Sequence, residues 1–467
     1  MKKLRVMLLF GIPFLLGTGG FLAAEENLLQ AMFQAIQLFL FEFGDPPANL
    51  AVEAARWLAP AATASGILMA VGAARKRIHD YILYCKGNSI AVYGPESEKR
   101  KMLNQLNGVG IDGGASFVPA HRYILLGDES ENLRFYHHNR DELQGRMVYM
   151  RCSSLPAQVS ASPHLKLFCT EEIAAGLYWN QHCLYEVSRA ANHHIDVVLI
   201  GFGKLGEEVL VSALQNNVFD PGQQIVYHIF GDGAEFMGTH PCLHQVNASV
   251  HFHSEPWYEQ TELLECAARV VVLEQDAQLR LLRGLLLALK RDCFHVFSAQ
   301  PYGTEILADK DRLLVFEWKA LAHLPEYILE DVLIDRAKRI NMRYVKQKDT
   351  TGLFEENDEN KQLEWEKLSA FHRYSNIRAA DYHEIQKKML EIEGVDTKFE
   401  EIPLGWKYRL SVLEHISWCN YYYLNNWEYG EEKNSELRTH PDLILYDGLS
   451  ADEKSKDFTN VEELFIC

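Results

Sequence analysis

"DVVLIGFGKLG", residues 196–206, is the stretch from which the fold of this chain is read. A run of β-formers, Val197–Ile200, enters Gly201-x-Gly203-x-x-Gly206, and the helix pattern "KLGEEVLVSALQNN" follows. Such glycines permit a tight turn, close approach of a pyrophosphate, and helix packing on the strand. Gly201, Gly203, Lys204, Leu205 and Gly206 are therefore the expected nucleotide contacts. The next strand, "QIVYHIFGDG", reaches Asp232, 26 residues after Gly206. An acid about 20 residues on is the expected acceptor for ribose hydroxyls. Further strands are read at "SVHFH" (249–253), "RVVVLE" (269–274), "FHVFSA" (294–299) and "LLVFEW" (313–318), with a helix over 278–291. Strands alternating with helices predict a parallel, doubly wound sheet.

Residues 195–343 are thus a Rossmann domain by pattern. Many such domains hold another ligand or none, so the occupant stays open. Residues 87–185 repeat the theme poorly. "SIAVYGPESEKRKMLNQL" is strand, turn and helix, and of the glycines only Gly94 remains, followed by Pro95 and Glu96, which crowd a phosphate. "RYILLGD" and "GRMVYMRC" are later strands of this degenerate half, whose role is structural or interfacial.

The 467 residues suit about three domains at roughly 150 residues each. With 46 basic and 64 acidic side chains the formal charge is −18, which excludes a broad nucleic-acid footprint. The nine cysteines form no CxxC pair and no metal spacing with histidine, so free thiols are expected and no metal site. The adjacent pairs His137-His138 and His193-His194 read as surface or cap residues.

Residues 1–78 read as a membrane module. Residues 4–24 carry one charge, Arg5, and about 20 apolar residues span a bilayer. Residues 57–74 form a second candidate span, extended toward Asn49. Lys2, Lys3 and Arg5 before the first, with Arg75, Lys76 and Arg77 after the second, place both ends in the cytoplasm. This predicts a multi-pass inner-membrane protein, in contact with lipid, with its large C-terminal region cytoplasmic. A cleaved signal peptide is the rival reading of the first segment. Between the spans, "NLLQAMFQAIQLFL" is helical by spacing and too short to cross, which fits a re-entrant helix followed by "FEFGDPP", 41–47.

"FEFGD" resembles a drifted potassium-channel filter, Val-Gly-Tyr-Gly-Asp. Phe43, Gly44 and Asp45 take the Tyr-Gly-Asp places, and Glu42 takes that of the first glycine. The resemblance implies a pore, and a ring of Glu42 side chains implies an acidic constriction attractive to cations. The rival is a hairpin that only packs the bundle. Placed after such a module, the tandem halves over 87–320 resemble the RCK (TrkA-N) domains of ligand-gated potassium channels. That family implies a gating ring, and a pore on an axis implies a symmetric homo-oligomer, a tetramer by analogy. No dehydrogenase constellation is seen, so no enzyme is expected.

Residues 344–362 are polar and read as a loop or linker. In the last region, 363–467, Trp365, Leu368, Arg373, Ser375-Asn376, Arg378 and Ala380-Asp381 are spaced as in the first half of the RyR domain. "LEHISW" (413–418), "NNWEYGEEKN" (425–434), "THPDLILYDGL" (439–449) and "DEKSKD" (452–457) resemble its second half in order, with departures at Ser417, Asn426 and Glu428. Glu414, His415, Arg373 and Asn376 are costly to bury unpaired. They form either a structural polar network or, with Arg378, Trp418, Trp427, Tyr429 and His440, a pocket for a polar ligand.

The combined expectation is a multidomain membrane protein: an all-α two-helix pore module, α/β doubly wound Rossmann domains, and a mainly α RyR-like C-terminal domain. Its expected function is a cation channel opened by a cytosolic nucleotide-derived ligand, in stress or antiphage signalling by family analogy. The ligand is not fixed by the sequence; NAD(H), another adenine nucleotide or an ADP-ribose-like molecule are the candidates. The alternative is a membrane-tethered nucleotide sensor that does not conduct.

Overall fold

The computed structural model describes residues 2–24, 27–40, 49–114, 116–153, 162, 164–329, 331–349, 355, 357–395 and 401–463. Two compact units divide the chain: residues 1–89 with 119–121, and residues 90–118 with 122–467.

The first unit is helical: α1 (Lys2–Leu22), α2 (Leu28–Phe39) and α3 (Leu50–Cys85). Small side chains set its packing. A Cβ on Gly20 would lie 2.5 Å from Val52 Cγ2, so α1 and α3 meet closely there. Asn49 joins them: its Nδ2 donates to the Gly20 carbonyl at 2.7 Å while its Oδ1 caps α3 through the Val52 N–H at 2.9 Å. Phe21, Ala31, Leu38, Val52, Ala55 and Ala59 make the core, and Leu15, Leu29, Phe33, Trp57 and Leu68 face outward. Among the described residues α3 is long and apolar enough to cross a membrane, while Met7–Leu22 and Leu28–Phe39 are apolar and shorter. Glu42, Phe43, Gly44 and Asp45 lie outside the described residues.

The second unit opens with β1 (Ile90–Tyr93), β2 (Gly110–Asp112), β3 (Arg122–Leu125), β4 (Met147–Arg151) and β5 (Leu165–Phe168). They form a parallel sheet in the order β2-β1-β3-β4-β5, a common doubly wound order. Helix α4 (Thr170–Gln181) leads on to the second sheet. This sheet holds β6 (His194–Ile200), β7 (Gln224–Phe230), β8 (Ser249–His253), β9 (Arg269–Val272), β10 (Phe294–Phe297) and β11 (Leu313–Phe316). Its order is β8-β7-β6-β9-β10-β11, all parallel, which is the Rossmann order 3-2-1-4-5-6. Helices α5 (Lys204–Asn216), α6 (Ala234–Thr239) and α7 (Gln278–Ala288) connect its strands. Leu205, Val209, Leu210, Ala213 and Leu214 put the apolar stripe of α5 into the core at helical spacing.

The C-terminal region is mostly helical: α8 (Asp331–Lys348), α9 (Asp358–Lys367), α10 (Ala370–Ile392), α11 (Leu404–Leu424) and α12 (Ala451–Glu463), with two short paired strands, β12 (Glu428–Tyr429) and β13 (Thr439–His440). The polar stretch expected as a linker, 344–362, is helical at both ends. Buried Ala337, Ile340 and Met342 anchor α8 through to Lys348, and Asn357 caps α9 by accepting the Asn360 N–H at 2.8 Å. Tyr382, Ile385, Met389 and Leu413 share one core with α4, α5 and the second sheet.

The end of α5 explains why these helices sit there. The last carbonyls of a helix lack partners within it. Asn420 Nδ2 donates to the Leu214 carbonyl at 2.8 Å, Ser417 Oγ to that of Gln215 at 2.8 Å, and Arg409 Nη2 to that of Phe219 at 3.0 Å. The Tyr382 hydroxyl donates to the Val218 carbonyl. Asn420 also accepts the Asn247 N–H at 3.0 Å. Asn420→Ala strips a buried acceptor and a backbone donor together. It is expected to cost about 2 kcal/mol, read as a lower urea midpoint.

Candidate functional site

The second sheet grows outward from β6 in both directions, so the chain reverses its direction of travel between β6 and β9. Ligands of open α/β sheets bind in the crevice at such a reversal, beyond the carboxyl ends of the strands. An open cleft of about 1190 Å³ lies there. Its walls include Gly201 after β6, Asp232 after β7, His253 and Trp257 at and after β8, and Glu274 and Arg280 after β9.

The glycine turn is built as its spacing requires. Gly201 has φ +98°, and a Cβ on it would lie 2.5 Å from the Glu274 backbone nitrogen. A Cβ on Gly206 would lie 2.8 Å from the Gly201 carbonyl oxygen, so α5 packs hard on the turn. Gly203 is the N-cap of α5, has no side-chain cap, and faces open space: a Cβ there would meet nothing within 4 Å. Lys204 pairs within its own helix, 2.8 Å from Glu208 and 3.7 Å from Glu207. Partial burial works against its charge, but the Glu208 and Glu207 carboxylates hold its pKa well above the usual lysine value. Leu205 is buried in the core. Asp232 is exposed, and its Oδ1 accepts the Ala234 N–H at 3.0 Å.

Of the expected nucleotide contacts, Gly201 and Asp232 line the cleft, while Gly203, Lys204, Leu205 and Gly206, the turn and first helical residues of α5, stand outside its lining. His253, Trp257, Glu274 and Arg280 escaped the sequence reading. Their signal was their place at or just past the carboxyl ends of β8 and β9, where every strand of such a sheet points at the ligand. The lining is acidic, with Asp232, Glu255, Glu274 and Asp276 against Arg280.

In the C-terminal region the nine candidate residues divide by task. Arg373 caps α9, with Nε donating to the Trp365 carbonyl at 3.0 Å and Nη2 to that of Glu366 at 2.8 Å. Arg378 is buried and ties α10 to α4: Nη2 donates to Glu172 Oε1 at 3.1 Å and to the Tyr374 hydroxyl at 2.7 Å. Asn376 is buried on the same helix, and Tyr429 is exposed on β12.

Trp418, Trp427 and His440 do come together. The Trp418 ring lies 5.1 Å from that of His440, and Trp427 lies 5.3 Å from Phe371 at an angle of 20°. Burial, then the charge of Lys433, lowers His440 to about 4.

Glu414 and His415 belong to a buried polar group under that aromatic wall. Burial raises Glu414 to about 8, and it faces His383 Nε2 at 4.0 Å. His415 Nε2 donates to the Ile444 carbonyl at 2.8 Å, and Nδ1 lies 3.4 Å from Asp457 Oδ2. Burial alone would lower His415, but its contacts with Asp457 and Cys419 raise it to about 11. Cys419 Sγ is 3.5 Å from the same Nε2, which is already donating to a carbonyl, and burial raises the thiol. This is not the arrangement of an activated nucleophile, which needs an accessible, low-pKa thiolate.

Residues 406–467 match the family model of the RyR domain. The match covers α11 from Trp406 on, both short strands and α12, and so contains Glu414, His415, Trp418, Trp427, Tyr429 and His440. Arg373, Asn376 and Arg378 precede it. No curated protein matches the chain. No solved structure matches it either.

Proposed function

We propose that this chain is a ligand-gated, cation-conducting membrane channel, opened by a cytosolic nucleotide-derived ligand held in the cleft of the second sheet. The observation that carries the ligand half is the 1190 Å³ cleft at the reversal of a Rossmann-ordered sheet, with Gly201 and Asp232 in its wall. The uncapped amides of α5 at Gly203 suit a phosphate group at its edge. The channel half is supported by the apolar helices of the first unit, which pack on one another through small residues and leave large apolar side chains outward. RCK-like gating, a tetrameric assembly and an inner-membrane location belong to this reading. The RyR domain is its second sensor, with Trp418, Trp427 and His440 as the aromatic wall.

Ligand-driven opening needs a ligand that binds one state better than the other. Helix α5 suits that task, because its N-cap, Gly203, comes two residues after Gly201 in the cleft wall and its last carbonyls are held by α11.

The test uses full-length protein in detergent and in planar bilayers, with NAD, AMP and ADP-ribose. Gly203→Val places its side chain in open space, so the fold is expected to survive while a phosphate loses its approach. The expected result is an affinity loss of about tenfold or more, roughly 1.4 kcal/mol, with matching loss of ligand-evoked current. Binding without current in any condition leaves the non-conducting tethered sensor. No binding of any of the three removes the ligand half.

A further inference from the structure

The register of the second sheet aligns four polar side chains. Asp196 pairs with Val226, Val198 with His228, His228 with His251, and Phe230 with His253. Paired residues share a face of a sheet, and residues two apart on a strand share it too. Asp196, His228, His251 and His253 therefore stand on one face of β6, β7 and β8. Asp196 Oδ1 lies 2.9 Å from His228 Nε2, and His228 Nδ1 lies 3.0 Å from His253 Nε2. The ring of His251 stacks 5.8 Å from that of His228. His253 lies nearly flat on Phe230, 4.6 Å and 14° between rings, and both line the cleft. Asp196 and His228 stand outside its lining.

The proton positions in this row follow from its first member. An ionised carboxylate only accepts, so His228 must present Nε2–H to Asp196. A neutral His228 then has its lone pair on Nδ1. That lone pair must take the Nε2–H of His253. The remaining nitrogen of His253, Nδ1, is left as an acceptor. Partial burial lowers the pKa of His253, which keeps it neutral near pH 7.

We propose that the Asp196–His228 pair fixes His253 as a hydrogen-bond acceptor in the cleft, and that the site thereby selects a nucleotide whose base carries an amine at its edge: an amino-purine such as adenine over unsubstituted purine. This rests on the nucleotide occupancy proposed above. Asp232, Glu255, Glu274 and Asp276 line the same cleft, and carboxylates too are acceptors, so the wall as a whole favours amino and hydroxyl donors. Asp196 and His228 are positioning residues, acting through His253.

AMP and purine riboside 5′-monophosphate differ at one base position, where hydrogen replaces the amine and N1 stays an acceptor, so their affinity ratio reads whether His253 accepts. With full-length protein at pH 7.5, AMP is expected to bind about tenfold tighter than purine riboside 5′-monophosphate, the worth of one hydrogen bond donated by the amine. Asp196→Asn, whose amide offers either a donor or an acceptor, and His228→Phe should both move the ratio toward one. Asp196→Glu keeps an acceptor-only group and should retain the preference. A role in folding alone would weaken AMP and purine riboside 5′-monophosphate equally. Equal affinity of the wild type for both, or a ratio unmoved in Asp196→Asn and His228→Phe, overturns the proposal. If ADP-ribose or NAD binds and neither AMP nor purine riboside 5′-monophosphate does, base-edge selection by His253 is likewise overturned while the cleft keeps its ligand. If none of the four binds, the occupancy falls and the inference with it.

Discussion

Glu414→Gln is expected to stabilise the C-terminal region, by on the order of 3 kcal/mol at pH 7. Glu414 is 3% exposed, and burial, reinforced by Asp457, raises it from 4.5 to about 8. The folded state therefore holds this proton more tightly than the unfolded state. Below pH 4.5 both states are protonated and the group contributes nothing. Between 4.5 and about 8 the unfolded state sheds its proton first, so wild-type stability falls as pH rises through that window. Above it the loss is complete. Glutamine keeps the shape and removes the charge. The gap between variant and wild type should be near zero at pH 4.5, grow at about 1.4 kcal/mol per pH unit, and level off above pH 8. Urea midpoints from pH 4.5 to 9, with hydrogen exchange at the amides of α11, measure it. A gap independent of pH would show that Glu414 is ionised in the folded chain.

Arg378→Met should have the largest effect in the opposite direction. The side chains of Arg378, Glu172 and Asp381 are 10%, 19% and 14% exposed. Arg378 donates to Glu172 and lies 3.7 Å from Asp381, whose oxygens also accept from Asn180 at 3.0 Å and Asn216 at 2.9 Å. Methionine fills similar space but leaves two largely buried carboxylates without this cation. Removing one member of a buried ionic group costs about 3–5 kcal/mol. A loss of about 3 kcal/mol is expected, and Glu172→Gln in the same chain should recover part of it. Because the group joins α4, α5 and α10, exchange should quicken in all three helices. Faster exchange in α10 alone would show that the ionic group does not bind these layers together.

The second sheet was legible because its strands are short runs rich in β-branched, aromatic and leucine side chains and its turn needs glycine at fixed places. Strands β2 and β5 were missed: "GID" and "LKLF" are three and four residues long, too short for a pattern to show. The ends of α8 and α9 were missed because polar outer faces hid a stripe carried by a few residues such as Ile340 and Trp365. Arg373 and Arg378 looked like ligand contacts because a charged side chain in an aromatic helix asks for a partner. Their partners are a helix terminus and a carboxylate 206 residues away, and no local pattern points to either. The row from Asp196 to His253 was half legible. "HFH" puts two histidines on one face, but only the strand register brings Asp196 and His228 beside them.

The RyR match begins two residues inside α11, the helix whose side chains cover the carbonyls of Leu214, Gln215 and Phe219. A gene rearrangement that moved residues 406–467 as a cassette would cut through that helix. The donor chain would keep bare carbonyls at the end of α5, and the recipient would gain a helix whose inner face has nothing to cover. The unit compatible with this packing starts before the second sheet and runs on through α10 and α11.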